Sequence, residues 1–261
     1  MANNFLAFYG SPGGGKTTLA VKTAKALSLS KKNVIIVGCD DETPLLPVLM
    51  PKCAGAQSIG ELLSMPDITE IDILRHCTPF GKSKYIGLLG YRLGESAMSY
   101  PEYKLKQAQK LYRLLCSTAD YVIADCSSHL SNYLTAAALM TADVTVKVLN
   151  ADLKSMAYVK SQEPLLQDRR YRYEAQVNVF NNVPAAIDIS PIEAVIGNAA
   201  YVFPSVPALK EQYGKGEMLE TVFGKNAKQF EMEINIFAKE VFNGQGAIPD
   251  VRTADKISGV T

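Results

Sequence analysis

A short glycine-rich stretch, FYGSPGGGKTTLA at residues 8–20, constrains this chain more than any other feature. An apolar run precedes it, and a segment with helical periodicity follows it. The pattern G-x-x-x-x-G-K-[ST] is satisfied by Gly10, Gly15, Lys16 and Thr17. A strand before and a helix after are the context in which this pattern forms a phosphate-binding loop. The stretch therefore predicts a site for phosphate groups, in preference to a turn that only starts a helix.

Each residue type in this loop has a chemical role. Glycines allow positive φ angles, so that successive main-chain N–H groups point inward and bind an anion at the positive end of the helix. Lys16 supplies a positive charge for the β- and γ-phosphates, and the Thr17 hydroxyl is a ligand for Mg²⁺. The predicted nucleotide-binding residues of the loop are Gly10, Ser11, Gly13, Gly14, Gly15, Lys16, Thr17 and Thr18.

Two aspartates follow predicted strands at positions suited to a metal or to water. Asp125 ends YVIAD, where a carboxylate can hold the magnesium shell, and Asp40 follows VIIVG, where it can hold magnesium or orient the attacking water. A single aspartate after a strand is most often a cap or turn residue. Two of them after a phosphate loop favour a site, because ligands of open α/β sheets bind at the carboxyl ends of the strands. We therefore predict Lys16, Asp40 and Asp125 as catalytic residues, and Thr17, Asp40 and Asp125 as metal ligands.

The predicted base is adenine. Guanine-specific proteins with this loop carry an N-K-x-D motif after a later strand, and neither NADLKS at 150–155 nor NNVP at 181–184 fits it. Asn181 or Asn182 can offer a side-chain amide to the base, and either is equally well explained as a turn residue. The expected cofactors are therefore ATP or ADP with Mg²⁺.

Short apolar runs alternate with longer helix-period segments along the chain. Strands are predicted over 5–9, 33–38, 85–91, 121–125, 144–150, 175–183 and 200–204. Helices are predicted over 17–29, 101–118, 130–140, 153–166, 208–213, 218–223 and 227–242. This alternation predicts an α/β fold with three layers, in which a mostly parallel, twisted sheet is flanked by helices.

Composition sets broader bounds on the chain. Its 261 residues suit one large domain, predicted over 1–243, and the polar, aperiodic residues 244–261 are predicted to form a flexible tail. The net charge of +1 gives no global attraction to nucleic acid or anionic lipid. Five scattered cysteines indicate reduced thiols, and no apolar run is long enough to span a membrane. With no signal-peptide pattern at the amino end, we expect a cytoplasmic protein.

The order of these parts resembles the MinD/ParA family of P-loop ATPases, in the SIMIBI class. GSPGGGKTT is similar to the family's deviant Walker A loop, VIIVGCDDETPLLPVL to its switch I segment, and DYVIADCSS to its switch II strand. TADVTVKVLNADLKSM and YVFPSVPALKEQYGKGEML resemble later segments, so the likeness runs from about residue 5 to about residue 242. The resemblance implies the P-loop NTPase fold and Mg-ATP as ligand.

One position departs from the family pattern. Ser11 stands where the family has its signature lysine, which reaches across a dimer to the partner's nucleotide, and Pro12 and Gly38 also replace family residues. Loss of the lysine removes a counter-charge for the γ-phosphate, so the resemblance implies weakened hydrolysis. Lys154 could supply that charge from elsewhere, although a solvated helix lysine is the favoured interpretation.

The resemblance implies a slow ATPase that acts as a nucleotide-state switch in positioning or assembling a cellular machine. Within the family, the chain looks most like the TadZ/CpaE-type proteins of pilus-assembly loci, which implies recruitment to a pole or a membrane-associated machine. A protein partner is expected, and a homodimer is left open. The alternatives are a DNA-partitioning ATPase, a kinase and a nucleotide-binding scaffold that does not hydrolyse ATP.

Three surfaces were candidates for other partners. The helix over 101–118 carries a basic stripe, and QDRRYRY at 167–173 interleaves arginine with tyrosine, which is the better pattern for nucleic acid. Balanced net charge makes non-specific DNA binding the less favoured option. The apolar stripe of the helix over 227–242 is flanked by charges of both signs, so it is predicted to face the core rather than a membrane.

Overall fold

An eight-stranded sheet forms the centre of the structure, a computed structural model that describes residues 4–52, 55–81, 83–172 and 176–242. The strands are β1 Phe5–Gly10, β2 Val34–Gly38, β3 Thr78–Pro79, β4 Ile86–Leu89, β5 Tyr121–Asp125, β6 Val144–Leu149, β7 Gln176–Val183 and β8 Tyr201–Pro204. Their order across the sheet is β3-β4-β2-β5-β1-β6-β7-β8. The described strands pair in parallel, except that β3 pairs antiparallel with β4.

Helices connect the strands of this sheet. They are α1 Lys16–Ser28, α2 Leu45–Leu49, α3 Ile59–Leu63, α4 Glu70–His76, α5 Leu105–Thr118, α6 Tyr133–Thr141, α7 Leu153–Leu166, α8 Ser190–Ile196, α9 Pro207–Lys215 and α10 Ala227–Phe242, with single 3₁₀ turns at Ala97–Ser99 and Arg169–Tyr171. Side-chain caps start several of them. Before α7, for example, Asp152 Oδ1 accepts a hydrogen bond of 2.7 Å from Ser155 N, which satisfies a main-chain group that the helix itself leaves unpaired.

The central strands are apolar on both faces, because helices cover the sheet on both sides. Along β1, Leu6 and Phe8 belong to the cluster that contains the buried faces of α1 and α10. Phe5, Ala7 and Tyr9 belong to the cluster that contains the buried faces of α5 and α6. Burying both sets removes β1 from water and produces three layers. The predicted fold class, a mostly parallel sheet flanked by helices, is confirmed.

The prediction of a helix over 218–223 is wrong. The segment is a turn followed by chain without regular structure. Gly216 (φ 69°) ends α9 before the segment, and Gly224 (φ 101°) follows it, just before α10. Side chains from outside the segment hold its carbonyl groups instead: Gln212 Nε2 donates to Thr221 O at 3.0 Å, and Lys22 Nζ donates to Glu220 O at 3.0 Å.

Other boundaries also differ from the prediction. The helix predicted over 101–118 begins at Leu105, because the Gln107 side chain accepts a 2.8 Å hydrogen bond from Lys104 N and so caps the helix there. Four elements between β2 and β4 were missed: α2, α3, α4 and β3 have two to seven residues each, too few to show a period.

The predicted tail, 244–261, lies outside the described residues, and the single domain over 1–243 stays a prediction.

A charged network holds the loop that follows β4. Glu95 accepts hydrogen bonds from Ser58 Oγ at 2.6 Å, from Tyr100 OH at 2.6 Å, and from the Arg92 main chain and guanidinium at 2.7 and 2.6 Å. Burial raises the pKa of Glu95, but these hydrogen bonds outweigh burial and lower the pKa to about 2. The loop is therefore built around an ionised carboxylate.

The length and hydrophobicity of the helices decide whether any of them can span a membrane. Within the described residues, none of the helices is both long enough and apolar enough to cross a bilayer. The apolar stripe of α10 lies in the core, as predicted, because Phe230, Ile234, Phe237 and Val241 are all buried beneath the sheet.

Candidate functional site

A cavity of about 910 Å³ opens at the carboxyl ends of β1, β2, β5, β7 and β8. Ligands of open α/β sheets bind at this edge. Of the predicted site residues, Gly13, Gly15, Lys16, Thr17, Thr18, Asp40, Asp125, Asn181 and Asn182 line the cavity. Gly10, Ser11 and Gly14 belong to the same loop but are buried and do not line the cavity. Predicted residues from four separate segments of the chain therefore meet in one place.

The loop between β1 and α1 has the shape that its glycines allow. Gly15, which precedes the first residue of α1, has φ 89°, in the left-handed region that favours glycine. A Cβ atom on Gly15 would overlap the amide nitrogen of Asn181. Gly10, with φ 146°, passes so close to Val148 O that a Cβ atom would overlap that carbonyl. The glycines are therefore required by both conformation and close packing.

Lys16 lies at the centre of the loop. Its ammonium group donates to Gly10 O and Ser11 O at 3.3 Å each, and to Ser128 Oγ at 2.7 Å. Burial lowers the pKa of Lys16, and the charge of Asp125 opposes that shift. The hydrogen bonds hold the ammonium at the cavity wall, where an anionic ligand would meet it.

Thr17 and Asp125 place a hydroxyl and a carboxylate next to each other beside Lys16. Thr17 Oγ1 donates to Asp125 Oδ2 at 2.6 Å, and Asp125 Oδ1 is buried without a hydrogen-bond partner among the described residues. Burial, together with the charge of Asp40, raises the pKa of Asp125 to about 6, although Thr17 and Lys16 oppose the shift. A hydroxyl and a carboxylate with one oxygen unused are the donor set that Mg²⁺ takes from a protein when phosphates complete its shell. These residues therefore fit the predicted metal.

Asp40 is a turn residue that also lines the cavity. Its Oδ1 accepts hydrogen bonds from the main chain of Glu42 at 2.9 Å and of Thr43 at 2.8 Å, which makes it a turn residue. It also lines the cavity, close enough to Asp125 to influence the pKa of that carboxyl. In the described part of the chain no cluster of three or more His, Cys, Asp or Glu side chains is suited to a metal. A magnesium ion here would depend on phosphate oxygens as well as on protein.

The two candidate asparagines have different surroundings. Asn181 is buried, and its amide nitrogen donates to Gly14 O at 2.9 Å, so it supports the loop from behind. Asn182 is exposed at φ 56°, and its Oδ1 accepts from Ser205 Oγ at 2.8 Å. Both line the cavity, and both lie in β7, which β1 and β6 separate from β5 and Asp125. Asn181 is therefore a structural support, whereas Asn182 is the more accessible of the two.

Solved structures with a similar fold include the following three. The ParA family ATPase from Chlorobium tepidum TLS gives a TM-score of 0.76 at 18% identity, covering 91% of this chain and 98% of that one. The MinD cell division protein from Aquifex aeolicus gives 0.70 at 18%, covering 90% and 96%. The septum site-determining protein MinD complexed with Mg-ADP from Pyrococcus horikoshii OT3 gives 0.68 at 14%, covering 95% and 99%. The chain has the ParA/MinD fold.

Sequence comparison alone gives no such likeness. No protein-family model matches the chain, and no curated protein sequence matches it significantly. The ParA/MinD fold is thus shared at identities of 18% or less in these structures, and it is the spatial arrangement that reveals it.

Ser11, at the signature position of the ParA/MinD pattern, points away from the cavity. It is fully buried, and its Oγ lies 2.8 Å from Ser155 Oγ in the first turn of α7. Lys154, the alternative source of charge, is exposed and lies off the cavity wall. Neither residue is placed to reach a phosphate in the cavity of its own chain.

Gly38 departs from the pattern for a steric reason. A Cβ atom at Gly38 would lie 2.5 Å from Leu45 Cβ, because α2 packs directly over the end of β2. The aspartate that the family has at this position would not fit beneath α2.

Several residues of the site were missed from the sequence. Ser128 accepts from Lys16 and donates to Gly10 O at 2.9 Å, and its own carbonyl accepts from Tyr158 OH at 2.8 Å. The run of small polar residues after Asp125 was the available signal for Ser128. Lys210 and Tyr213 of α9 also line the cavity, and no local pattern distinguishes them from surface residues.

Proposed function

We propose that this chain binds Mg-ATP in the cavity and hydrolyses it slowly, as a ParA/MinD-type ATPase. One observation carries the proposal: Lys16, Thr17 and Asp125 meet beside a glycine loop, and a buried oxygen of Asp125 has no partner among the described residues. An unpartnered buried carboxylate oxygen is unfavourable unless a ligand engages it. A magnesium-bound polyphosphate matches the loop amides, the ammonium and the carboxylate together.

Each residue has a defined role in this proposal. Main-chain amides of Gly13 and of residues 15–18 bind phosphate oxygens at the start of α1, and Lys16 neutralises charge on the β- and γ-phosphates. Thr17 and Asp125 hold the metal, and Asp40 orients the attacking water with the carboxylate oxygen that its turn leaves available. Mg²⁺, when bound, supplies further neutralisation of the phosphate oxygens.

Adenine is the proposed base. The MinD protein from Pyrococcus horikoshii was solved with Mg-ADP, which supports an adenine nucleotide in a cavity of the same fold. We assign the base contact to Asn182, because the amide nitrogen of Asn181 already supports Gly14 O. The base would then lie near the loop that joins β8 to α9, which lines the same part of the cavity.

The nucleotide would act as a signal through two linked segments. Cys39 N donates to Asp125 O at 3.0 Å, and the Asn132 side chain donates to Cys39 O at 2.8 Å, so the chain after β2 is bonded to the chain after β5. A ligand that displaces Asp40 or Asp125 would move both segments and the surface that they present to a protein partner.

On this basis we propose a nucleotide-state switch in positioning or assembling a cellular machine. The specific candidate is a Tad-type pilus or secretion system, with recruitment of the protein from the cytoplasm to a pole or a membrane-associated machine. A tagged copy in its native cell is expected to form polar foci, and deletion is expected to abolish pili. An even distribution with unchanged pili would contradict this assignment and leave the nucleotide site untouched.

A nucleotide-binding scaffold that does not hydrolyse ATP is the second candidate. Burial of Ser11 favours it, because no charge at that position can reach a partner's phosphate. DNA partitioning is less favoured. Of the arginines in 167–173, Arg170 pairs with Asp168 and Arg172 donates to Ala142 O, and Tyr173 lies outside the described residues.

Calorimetry with Mg-ATP tests the binding proposal. Lys16→Ala is expected to weaken binding by about tenfold or more, the worth of a charge-assisted hydrogen bond, whereas Lys25→Ala on the same helix is expected to match wild type. A measurement of phosphate release then distinguishes the two candidate functions: a slow ATPase releases phosphate from ATP, and a non-hydrolysing scaffold does not. Folded wild-type protein that gives no heat with Mg-ATP would overturn both candidates.

A further inference from the structure

Helix α9 forms part of the wall of the cavity, in addition to the phosphate-binding loop. Val206, just before the helix, and Leu209, Lys210 and Tyr213 within it all line the cavity. Their spacing of three or four residues places them on one face of α9. The face is partly apolar, with Val206 and Leu209 buried at its base, and it carries an ammonium and a phenol hydroxyl toward the cavity.

The far end of α9 packs against the segment that follows β2. At its carboxyl end, Gly216 adopts φ 69°, and a Cβ atom there would lie 2.6 Å from Pro51 Cδ, just after α2. Before the other end of the helix, Ser205 Oγ donates to Asn182 Oδ1 at 2.8 Å. The helix therefore extends along the cavity from the proposed base side to the segment that follows β2.

Tyr213 lies near the metal end of the cavity. Burial raises the pKa of its hydroxyl, and the charges of Asp125 and Asp40 raise it further, which places the hydroxyl within electrostatic range of both carboxylates. Tyr213 is thus on the same side as the residues proposed to hold Mg²⁺ and water, although it is separated from Asp125 by 88 positions in sequence.

The charges on the cavity wall are unbalanced for a polyphosphate. Among the described residues, the wall carries the carboxylates of Asp40, Glu42 and Asp125 and the ammonium groups of Lys16 and Lys210. Lys16 is held by three hydrogen bonds inside the loop. Lys210 is exposed and forms no ion pair with any residue that the structure describes. It is the second cation available to a bound anion.

We infer that Lys210 and Tyr213 bind the polyphosphate of the nucleotide held by their own chain, Lys210 as a counter-charge and Tyr213 as a hydrogen-bond donor to a phosphate oxygen. The inference rests on the proposed function, and it places a second cation in cis. Ser11, buried against α7, does not provide one. A charge contributed from the same chain requires no second copy for nucleotide binding.

The test compares Lys210→Ala with Lys215→Ala, titrated with Mg-ATP by calorimetry at low and high salt. Lys215 is exposed on the same helix but lies off the cavity wall, which makes it a matched control. Lys210→Ala is expected to lose about tenfold or more in affinity, and Lys210→Arg to recover most of it. The loss should shrink at high salt, because salt screens an exposed charge pair. Tyr213→Phe should lose about fivefold, as one neutral hydrogen bond is removed.

Each remaining result counts against the inference. Lys210→Ala affinity within about twofold of wild type would show that the lysine stays in solvent. An affinity loss that is unchanged by salt would assign Lys210 to the uncharged base or sugar. Thermal melting of all variants establishes that they are folded. If wild type itself does not bind Mg-ATP, the proposed function fails as well, whereas normal wild-type binding with an unaffected Lys210→Ala overturns this inference alone.

Discussion

Replacing Ser11 by lysine is expected to destabilise the protein rather than to create a nucleotide-bridged dimer. Ser11 is 0% exposed, and its Oγ lies 2.8 Å from Ser155 Oγ. Gly14 packs close by, since a Cβ atom there would lie 3.2 Å from Ser11 Oγ. A lysine at this position must either bury its side chain in a closed site or push the loop away from α7.

The size of the effect follows from two contributions. Loss of the hydroxyl pair costs about 1 kcal/mol, near the mean for one hydrogen bond, because Ser155 Oγ still accepts from Asn150 N at 3.1 Å. Forcing a larger side chain into a packed site costs about 1–3 kcal/mol more. Ser11→Lys is therefore expected to lower the free energy of unfolding by about 2–4 kcal/mol, and Ser11→Ala by about 1 kcal/mol.

Urea unfolding followed by circular dichroism measures both variants, and Ser11→Ala combined with Ser155→Ala isolates the hydroxyl pair in a double-mutant cycle. The expected coupling free energy is about 0.5–1.5 kcal/mol. Sedimentation with and without a non-hydrolysable ATP analogue measures association. If Ser11→Lys has wild-type stability and dimerises with the analogue, Ser11 is not buried as described and the reasoning is refuted.

Three further variants test other parts of the structure. Because the pKa of Glu95 is lowered to about 2 from 4.5, its ionised form should stabilise the protein above pH 4.5 and progressively less as the pH falls toward 2. Glu95→Gln should flatten the plot of unfolding free energy against pH over this range, and a plot identical to that of wild type would contradict the network. Gly15→Ala should lower the unfolding free energy by about 1–2 kcal/mol from its left-handed φ alone, and further because the new Cβ atom overlaps the Asn181 amide. Adding Asn181→Ala should recover the second part, and chemical denaturation that shows no recovery would argue against that contact. Gly38→Asp should cost about 1–3 kcal/mol because Leu45 fills the space, and equal stability to wild type by thermal melting would mean that α2 lies elsewhere.

The phosphate-binding loop could be predicted from sequence because its geometry is local. Positive φ at Gly13 and Gly15, and the start of α1 directly after Gly15, follow from residues within a few positions of each other. Strands with both faces buried also appear in the sequence as continuous apolar runs. For this reason the predicted ends of β1, β2, β5 and β6 agree with the structure to within about one residue. The carboxyl-edge rule then brought Asp40 and Asp125 to the loop without any structure.

Features that depend on distant residues could not be predicted in this way. The direction of the Ser11 side chain depends on Ser155, 144 positions away, and the role of Ser128 depends on Lys16, 112 positions away. The stretch 218–223 was predicted as one of the helix-period segments. In the structure, side chains from other segments hold its carbonyl groups. None of these partners can be recognised from the local sequence.

The sequence by itself determined that a strand, a glycine loop and a helix would bind phosphate, and that alternating strands and helices would form a mostly parallel sheet. Both follow from short-range constraints on backbone angles and from the period of apolar residues. Tertiary structure alone decided which way Ser11 faces, which asparagine supports the loop, and that α9 brings Lys210 and Tyr213 over the cavity. Those outcomes depend on packing between residues far apart in the chain, and packing is set only once the sheet has formed.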